Sequence, residues 1–292
     1  MSTGHVYAAF SRIFLVFSSA EIGILITMMT WAILRGPVAM IFFTSAEAPS
    51  ILMFISFALM PIIVSIHEAN AVATRSVGEK ASPFPLLSIG ASPAMAHAIE
   101  EAKSFANLSK AINGALTINI GTFDQHWQKC AIKVANEAKL LGIPWVLDPV
   151  GAGASDFRSK NARELLSLKP TVLRGNGSEI ISISGISTSG KGVDSTSSSN
   201  EALDAAIKIS KDNEIIVAIT GEIDYVTNGS KVYAIHGGNE MMTKITATGC
   251  ALTCLIGAAL TSDQDKIVST ANMLGIYSVA SEKASKLSLI HI

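Results

Sequence analysis

Cys250 stands in a run of small residues, Thr246-Ala-Thr-Gly-Cys-Ala-Leu-Thr253, that leads straight into an apolar helical segment. Backbone N–H groups at a helix start are free, and with the helix dipole they attract anions. The same field favours a thiolate on a cysteine placed there. Elsewhere, polar residues and glycines collect where apolar bursts stop. One ends in Asp148 followed by Gly151 and Gly153, the next in Arg174-Gly175-Asn176, and the next in Thr220-Gly221. Glycine lets a ligand approach the backbone. An arginine fork suits a phosphate, and carboxylates suit the cation that travels with it. Together these types point to phosphate binding and transfer, in which positioned donors hold the developing charge. Each residue also has a plainer reading that the residues alone leave open. Cys250 could be a small residue packing a helix start, Arg174 a surface ion pair, Thr220 a turn cap, and Asn176 with Glu179 a capping box.

Positioning such groups requires a sheet whose strands end together. Ala115–Ile120 reads as a buried strand. Asp124 caps the next segment, Gln125–Leu141, whose Trp127, Ile132, Val134 and Ala138 suit a helix lying on a sheet. Ile143–Asp148 is the next strand, Ser159–Leu168 a helix ended by Pro170, and Thr171–Asn176 a third strand. A helix over 201–211 precedes a fourth strand, Ile215–Thr220. A hairpin then turns around Asn228-Gly229, and two apolar helices close the pattern at 247–260 and 265–283. Strands alternating with helices predict an α/β fold built on a parallel sheet. In such sheets ligands bind outside the carboxyl ends of the strands. Ser187–Asn200, rich in Ser and Gly, predicts a surface loop.

The chain of 292 residues carries a formal net charge of −1, from 22 Lys+Arg against 23 Asp+Glu, so no basic excess suggests nucleic acid. Its three cysteines make no disulfide framework and suit a reducing, cytoplasmic compartment. Residues 1–66 differ from the rest: Arg12, Glu21, Arg35 and Glu47 are their only charged side chains. Two apolar blocks lie there. Ile13–Leu34 is interrupted by Ser18, Ser19 and Glu21; Ile51–Ile66 contains Pro61 and is short for a span. Residues 1–82 are therefore expected to be an atypical N-terminal segment, either in contact with a membrane or non-native, and residues 83–292 the catalytic domain.

Seven pieces carry a resemblance: LLSIGASPAMAHAIEE from Leu86, LTINIGT from Leu116, WVLDPVGAGAS from Trp145, KPTVLRGNGSEI from Lys169, KGVDS from Lys191, AITGEIDYVTNG from Ala218 and TATGCALT from Thr246. In order and spacing, residues 86–283 resemble hydroxyethylthiazole kinases, of the ribokinase-like superfamily. The resemblance implies a three-layer sandwich, a mostly parallel central sheet with helices on both faces. It implies transfer of phosphate from ATP to the primary alcohol of 4-methyl-5-(2-hydroxyethyl)thiazole, with Mg²⁺. It also implies a homotrimer with sites between subunits. Carried over by position, Cys250 stands where related sugar kinases have a general-base aspartate. Met95 and Ala247 would line the thiazole, Arg174 and Thr220 would bind ATP, and Asp148 and Glu179 would surround Mg²⁺. The family's asparagine-bearing signature upstream of GASPAM has only Ala69-Asn70 as a faint counterpart. Two alternatives follow: a related kinase with an altered small-alcohol acceptor, or an inactive, membrane-tethered relic.

Overall fold

The computed structural model describes residues 63–66, 83–96, 98–185 and 195–288. Their strands are β1 (Ile63–Ile66), β2 (Pro93–Met95), β3 (Ala115–Asn119), β4 (Trp145–Asp148), β5 (Val172–Asn176), β6 (Ile216–Thr220), β7 (Asp224–Thr227) and β8 (Val232–Ile235). They form one sheet in the order β2-β1-β3-β4-β5-β6-β7-β8. Neighbours are parallel from β2 through β6, and β7 and β8 add an antiparallel edge. The helices are α1 (Pro83–Ser88), α2 (Ala102–Ala111), α3 (Gln125–Leu141), α4 (Asp156–Ser167), α5 (Gly177–Ser184), α6 (Ser195–Asn213), α7 (Thr248–Ala259) and α8 (Lys266–Ser288).

Side chains alternate across a strand, and the alternation divides the core in two. Leu116 and Ile118, Trp145 and Leu147, Leu173, and Val217 and Ile219 face one core with α2, α3, α4, α5 and α6. Val146, Val172, Ile216 and Ala218 face the other, against α1, α7 and α8. The result is the expected ribokinase-like three-layer arrangement. The local signals behave as read. Asp124 Oδ1 accepts the Trp127 N–H at 2.9 Å, and Gly142 closes α3 in the left-handed region at φ 64°; such a cap contributes about 1 kcal/mol. The face of α3 that carries Trp127, Cys130, Val134, Ala135 and Ala138 is buried. Cys130 and Cys254 are core residues, 1% and 4% exposed.

Ile63–Ile66, at the end of the second apolar block, pairs with β2 on one side and β3 on the other and so is a strand of the sheet. Two expectations need correction. Ser187–Asn200 is not all loop, since α6 already runs from Ser195. Helix α4 starts at Asp156, ahead of the expected Ser159, because the Ser155 side chain caps it. Among the described residues no helix is long and apolar enough to cross a membrane. The block Ile13–Leu34 and the Ala69-Asn70 pair lie outside the described residues.

Candidate active site

Strand parity assembles the site. Asn119 shares the parity of Thr117, Asp148 that of Val146, Arg174 that of Val172, and Thr220 that of Ala218. Asn119, Asp148 and Thr220 end their strands, and Arg174 stands two residues before the end of β5, all on the side where α7 packs. Register brings them close: Asn119 pairs with Asp148, and Arg174 pairs with Ala218, two residues before Thr220, whose own partner is Asn176. The N-terminus of α7 lies over this row. Its N-cap, Ala247, is in the left-handed region at φ 64° and makes no side-chain cap bond. The first amides of α7 thus carry the anion-attracting character of a helix start without a side chain capping them.

Asp148 is the hub. It is fully buried, and its Oδ2 accepts from Asn119 Nδ2 at 2.9 Å and Thr253 Oγ1 at 2.8 Å. Arg174 Nη1 lies 3.7 Å from the same oxygen. Asp148 Oδ1 has no protein partner. Burial lifts the carboxyl from its ordinary value to about 6, against the opposing pull of Arg174 and the Thr253 and Asn119 hydrogen bonds; Glu179 adds to the rise. Arg174 donates through Nη2 to Thr220 Oγ1 at 2.6 Å, while its buried Nε has no protein partner. Its guanidinium lies against Gly249, where an added Cβ would meet Nη1 at 2.5 Å. A spare donor and a spare acceptor, both buried at one rim, are what a bound phosphate and cation would satisfy.

Cys250 is the third residue of α7, and its Sγ accepts from Asn119 Nδ2 at 3.2 Å. Here an expectation is reversed. Burial, and then the Asp148 charge, push the thiol up to about 12, so the group is a neutral thiol at neutral pH. The Asn119 contact and Arg174 only soften that rise.

Glu179 forms the capping box weighed for it and one contact more. Its Oε2 accepts the Asn176 N–H at 2.9 Å and closes a capping box; Oε1 accepts the Gly151 N–H, also at 2.9 Å. One carboxylate thus clips the loop after β4 to the start of α5. Gly151 and Gly153 take φ of 76° and 95° in that loop, a region that favours glycine. Met95 ends β2 on the α7 side, level with Thr117 through β1, and is 41% exposed. It lies two strands from Asn119 in the sheet.

The sequence of the chain decides what kind of site this is. The sequence model of the hydroxyethylthiazole kinase family matches residues 61–289. The chain belongs to this family. It is similar to the hydroxyethylthiazole kinase of Rhizobium rhizogenes, 46% identical over 69% of this chain and 74% of the relative. The kinase of the same name from Leptospira interrogans is 45% identical over 70% of this chain and 75% of the relative. A solved hydroxyethylthiazole kinase from Pyrococcus horikoshii superposes with a TM-score of 0.66 at 33% identity, covering 78% of this chain and 81% of that one. Staphylococcus aureus pyridoxal kinase shares the fold at 13% identity and a TM-score of 0.58. The family match from residue 61 agrees with β1 as part of the sheet.

Four residues near the kinase site were not singled out from sequence. Asn119 bridges Asp148 and Cys250. Thr253 holds Asp148. Tyr277, on α8, donates to the Thr248 carbonyl at 2.9 Å and ties α8 to the start of α7. Arg158 donates to the carbonyls of Ile120, Gly121 and Val150, joining the loops after β3 and β4. Of these only Asn119 left a signal: a polar residue at the last position of a buried strand, like Asp148.

Proposed function

We propose that this member of the hydroxyethylthiazole kinase family transfers the γ-phosphoryl group of ATP to the primary alcohol of 4-methyl-5-(2-hydroxyethyl)thiazole. The observation that carries the reading is the single row of Asp148, Arg174 and Thr220 beneath the open start of α7, with Cys250 on its first turn. Arg174, with its unpartnered Nε, and the α7 amides would hold the phosphates, and Thr220 would fix the guanidinium while contacting the nucleotide. Met95 and Ala247 would line the acceptor side. Catalysis in such a site is positioning and charge stabilisation.

Mg²⁺ is part of the same proposal. Among the described residues no group of three or more His, Cys, Asp or Glu could hold a metal by itself. The donors instead fit an ion that arrives with the nucleotide and keeps several waters. Asp148 would face it through its unpartnered Oδ1, and Glu179 through lone pairs its two amide contacts leave free. The bound ion would neutralise phosphate charge. A homotrimer is proposed from the exposed Met95 on the outermost described strand, β2, where a neighbouring subunit would complete the acceptor pocket. Cys130, Cys250 and Cys254, reduced thiols rather than disulfides, suit a cytoplasmic location.

The test is turnover with ATP and three acceptors: hydroxyethylthiazole, hydroxymethylpyrimidine and a simple sugar. The reading requires the highest kcat/KM with the thiazole; a higher value with either of the others rejects it. Cys250→Ala is expected to lower kcat about tenfold, the worth of one hydrogen bond of about 1.4 kcal/mol, and to leave the KM for ATP unchanged. Equal losses in both parameters, measured by steady-state kinetics, would assign the thiol a folding role.

A further inference from the structure

Asn119 is the one polar side chain at this rim that touches both Asp148 and Cys250 among the described contacts. Its Oδ1 accepts the Gly121 N–H at 2.8 Å. That bond settles the direction of the amide, since only the oxygen can accept from an N–H. The NH₂ group must then face the other way, where Asp148 Oδ2 lies at 2.9 Å and Cys250 Sγ at 3.2 Å. Both amide hydrogens are used, one on each partner. Gly121 is a close fit to this arrangement: a Cβ there would meet Asn119 Oδ1 at 2.9 Å.

We infer that Asn119 is a positioning residue for phosphoryl transfer: its amide holds the Cys250 sulfur as an acceptor, so that the S–H hydrogen turns away from Asn119 towards the open rim. A sulfur that accepts from an N–H cannot direct its own hydrogen along that line. The thiol is left as a donor on the side where an acceptor hydroxyl would sit, and Asp148 is held at a set distance behind it. The inference rests on the kinase reading given above, but the contact it invokes exists without any substrate.

The test uses the full chain with Asn119→Asp and Gly121→Ala. Asn119→Asp keeps the oxygen that faces Gly121, removes the donors and places a carboxylate beside Asp148 and the Cys250 sulfur. Gly121→Ala leaves Asn119, Asp148 and Cys250 in place but displaces the amide by a few tenths of an ångström. Two readouts are taken: steady-state kinetics, and the rate of iodoacetamide alkylation at Cys250 followed by peptide mass at one fixed pH. Asn119→Asp is expected to lower kcat about tenfold with the KM for ATP within about twofold. It should also slow alkylation about tenfold, because a carboxylate replaces the donor beside the sulfur. Gly121→Ala should shift both readouts, by about threefold or more. Wild-type alkylation rates in both variants overturn the inference. So does a loss of kcat accompanied by an equal rise in KM with alkylation unchanged. Alkylation needs no acceptor, so a wild-type chain inactive towards the thiazole would reject the kinase reading while the Asn119–Cys250 contact is still decided. If Asn119→Asp does not fold, the Gly121→Ala alkylation rate decides alone.

Discussion

Replacing Asp148 by asparagine is expected to lower kcat by about 100-fold or more and, in the same variant, to raise thermal stability at alkaline pH. The activity loss follows from removing the one fully buried carboxylate at the rim, which faces Arg174 and offers its unpartnered oxygen to the site. The stability gain follows from linkage. The folded carboxyl titrates at about 6, above its ordinary value of 3.8, with desolvation the largest cause. A raised carboxyl favours the folded state's protonated form. Its cost is absent below the unfolded value, grows as pH rises from about 4 to about 6, and is complete above that. Two pKa units correspond to about 3 kcal/mol. Asparagine keeps the shape without the charge. Thermal melts without nucleotide or metal should therefore show Asp148→Asn several degrees more stable at pH 8, with the advantage shrinking at pH 5. A variant less stable at pH 8 would mean that the ion pair with Arg174 outweighs desolvation.

Arg174→Ala is expected to raise the KM for ATP about 10- to 100-fold, the worth of one or two charge-assisted hydrogen bonds. Gly249→Ala reaches the same group from the other side. An added Cβ would lie 2.5 Å from Nη1, 2.8 Å from Nη2 and 3.0 Å from Cζ of Arg174, so the guanidinium must move. Alanine is otherwise the better residue within α7, by roughly 1 kcal/mol of helix propensity. The variant should thus retain its fold while losing ATP affinity to a similar degree. Because both changes act on one group, the double variant should bind ATP no more weakly than Arg174→Ala alone. Isothermal titration of all three with a non-hydrolysable ATP analogue checks the cycle. Additive losses would place Gly249 and Arg174 in separate interactions.

What was legible in the sequence was local or periodic. Asp124 capping α3, Asn228-Gly229 turning the hairpin, and the polar ends of β4, β5 and β6 are all patterns within a few residues. What was not legible depended on partners distant in sequence. Ile63–Ile66 resembles a membrane-seeking run because a short strand inside a sheet and a lipid-facing segment share a composition; only the pairing with β2 and β3 distinguishes them. The thiolate expected of Cys250 rested on the helix field alone. It could not include Asp148, 102 residues earlier in the chain, whose charge reaches the sulfur through the packing of α7 on the sheet. The Asn176-x-x-Glu179 spacing announced a capping box, whereas the Glu179 contact with Gly151 joins two loops 28 residues apart. Asn119 shows that parity was the overlooked signal. Counting back by twos along each strand would have grouped it with Asp148, Arg174 and Thr220.

The most direct measurement is a ³¹P NMR spectrum of the purified chain with ATP, Mg²⁺ and hydroxyethylthiazole, recorded as the reaction proceeds. Phosphoryl transfer at the rim predicts one new phosphate monoester resonance growing in step with ADP, and its absence in Asp148→Asn over the same interval. ADP accompanied by inorganic phosphate instead of the ester, or no loss of ATP at all, would contradict it.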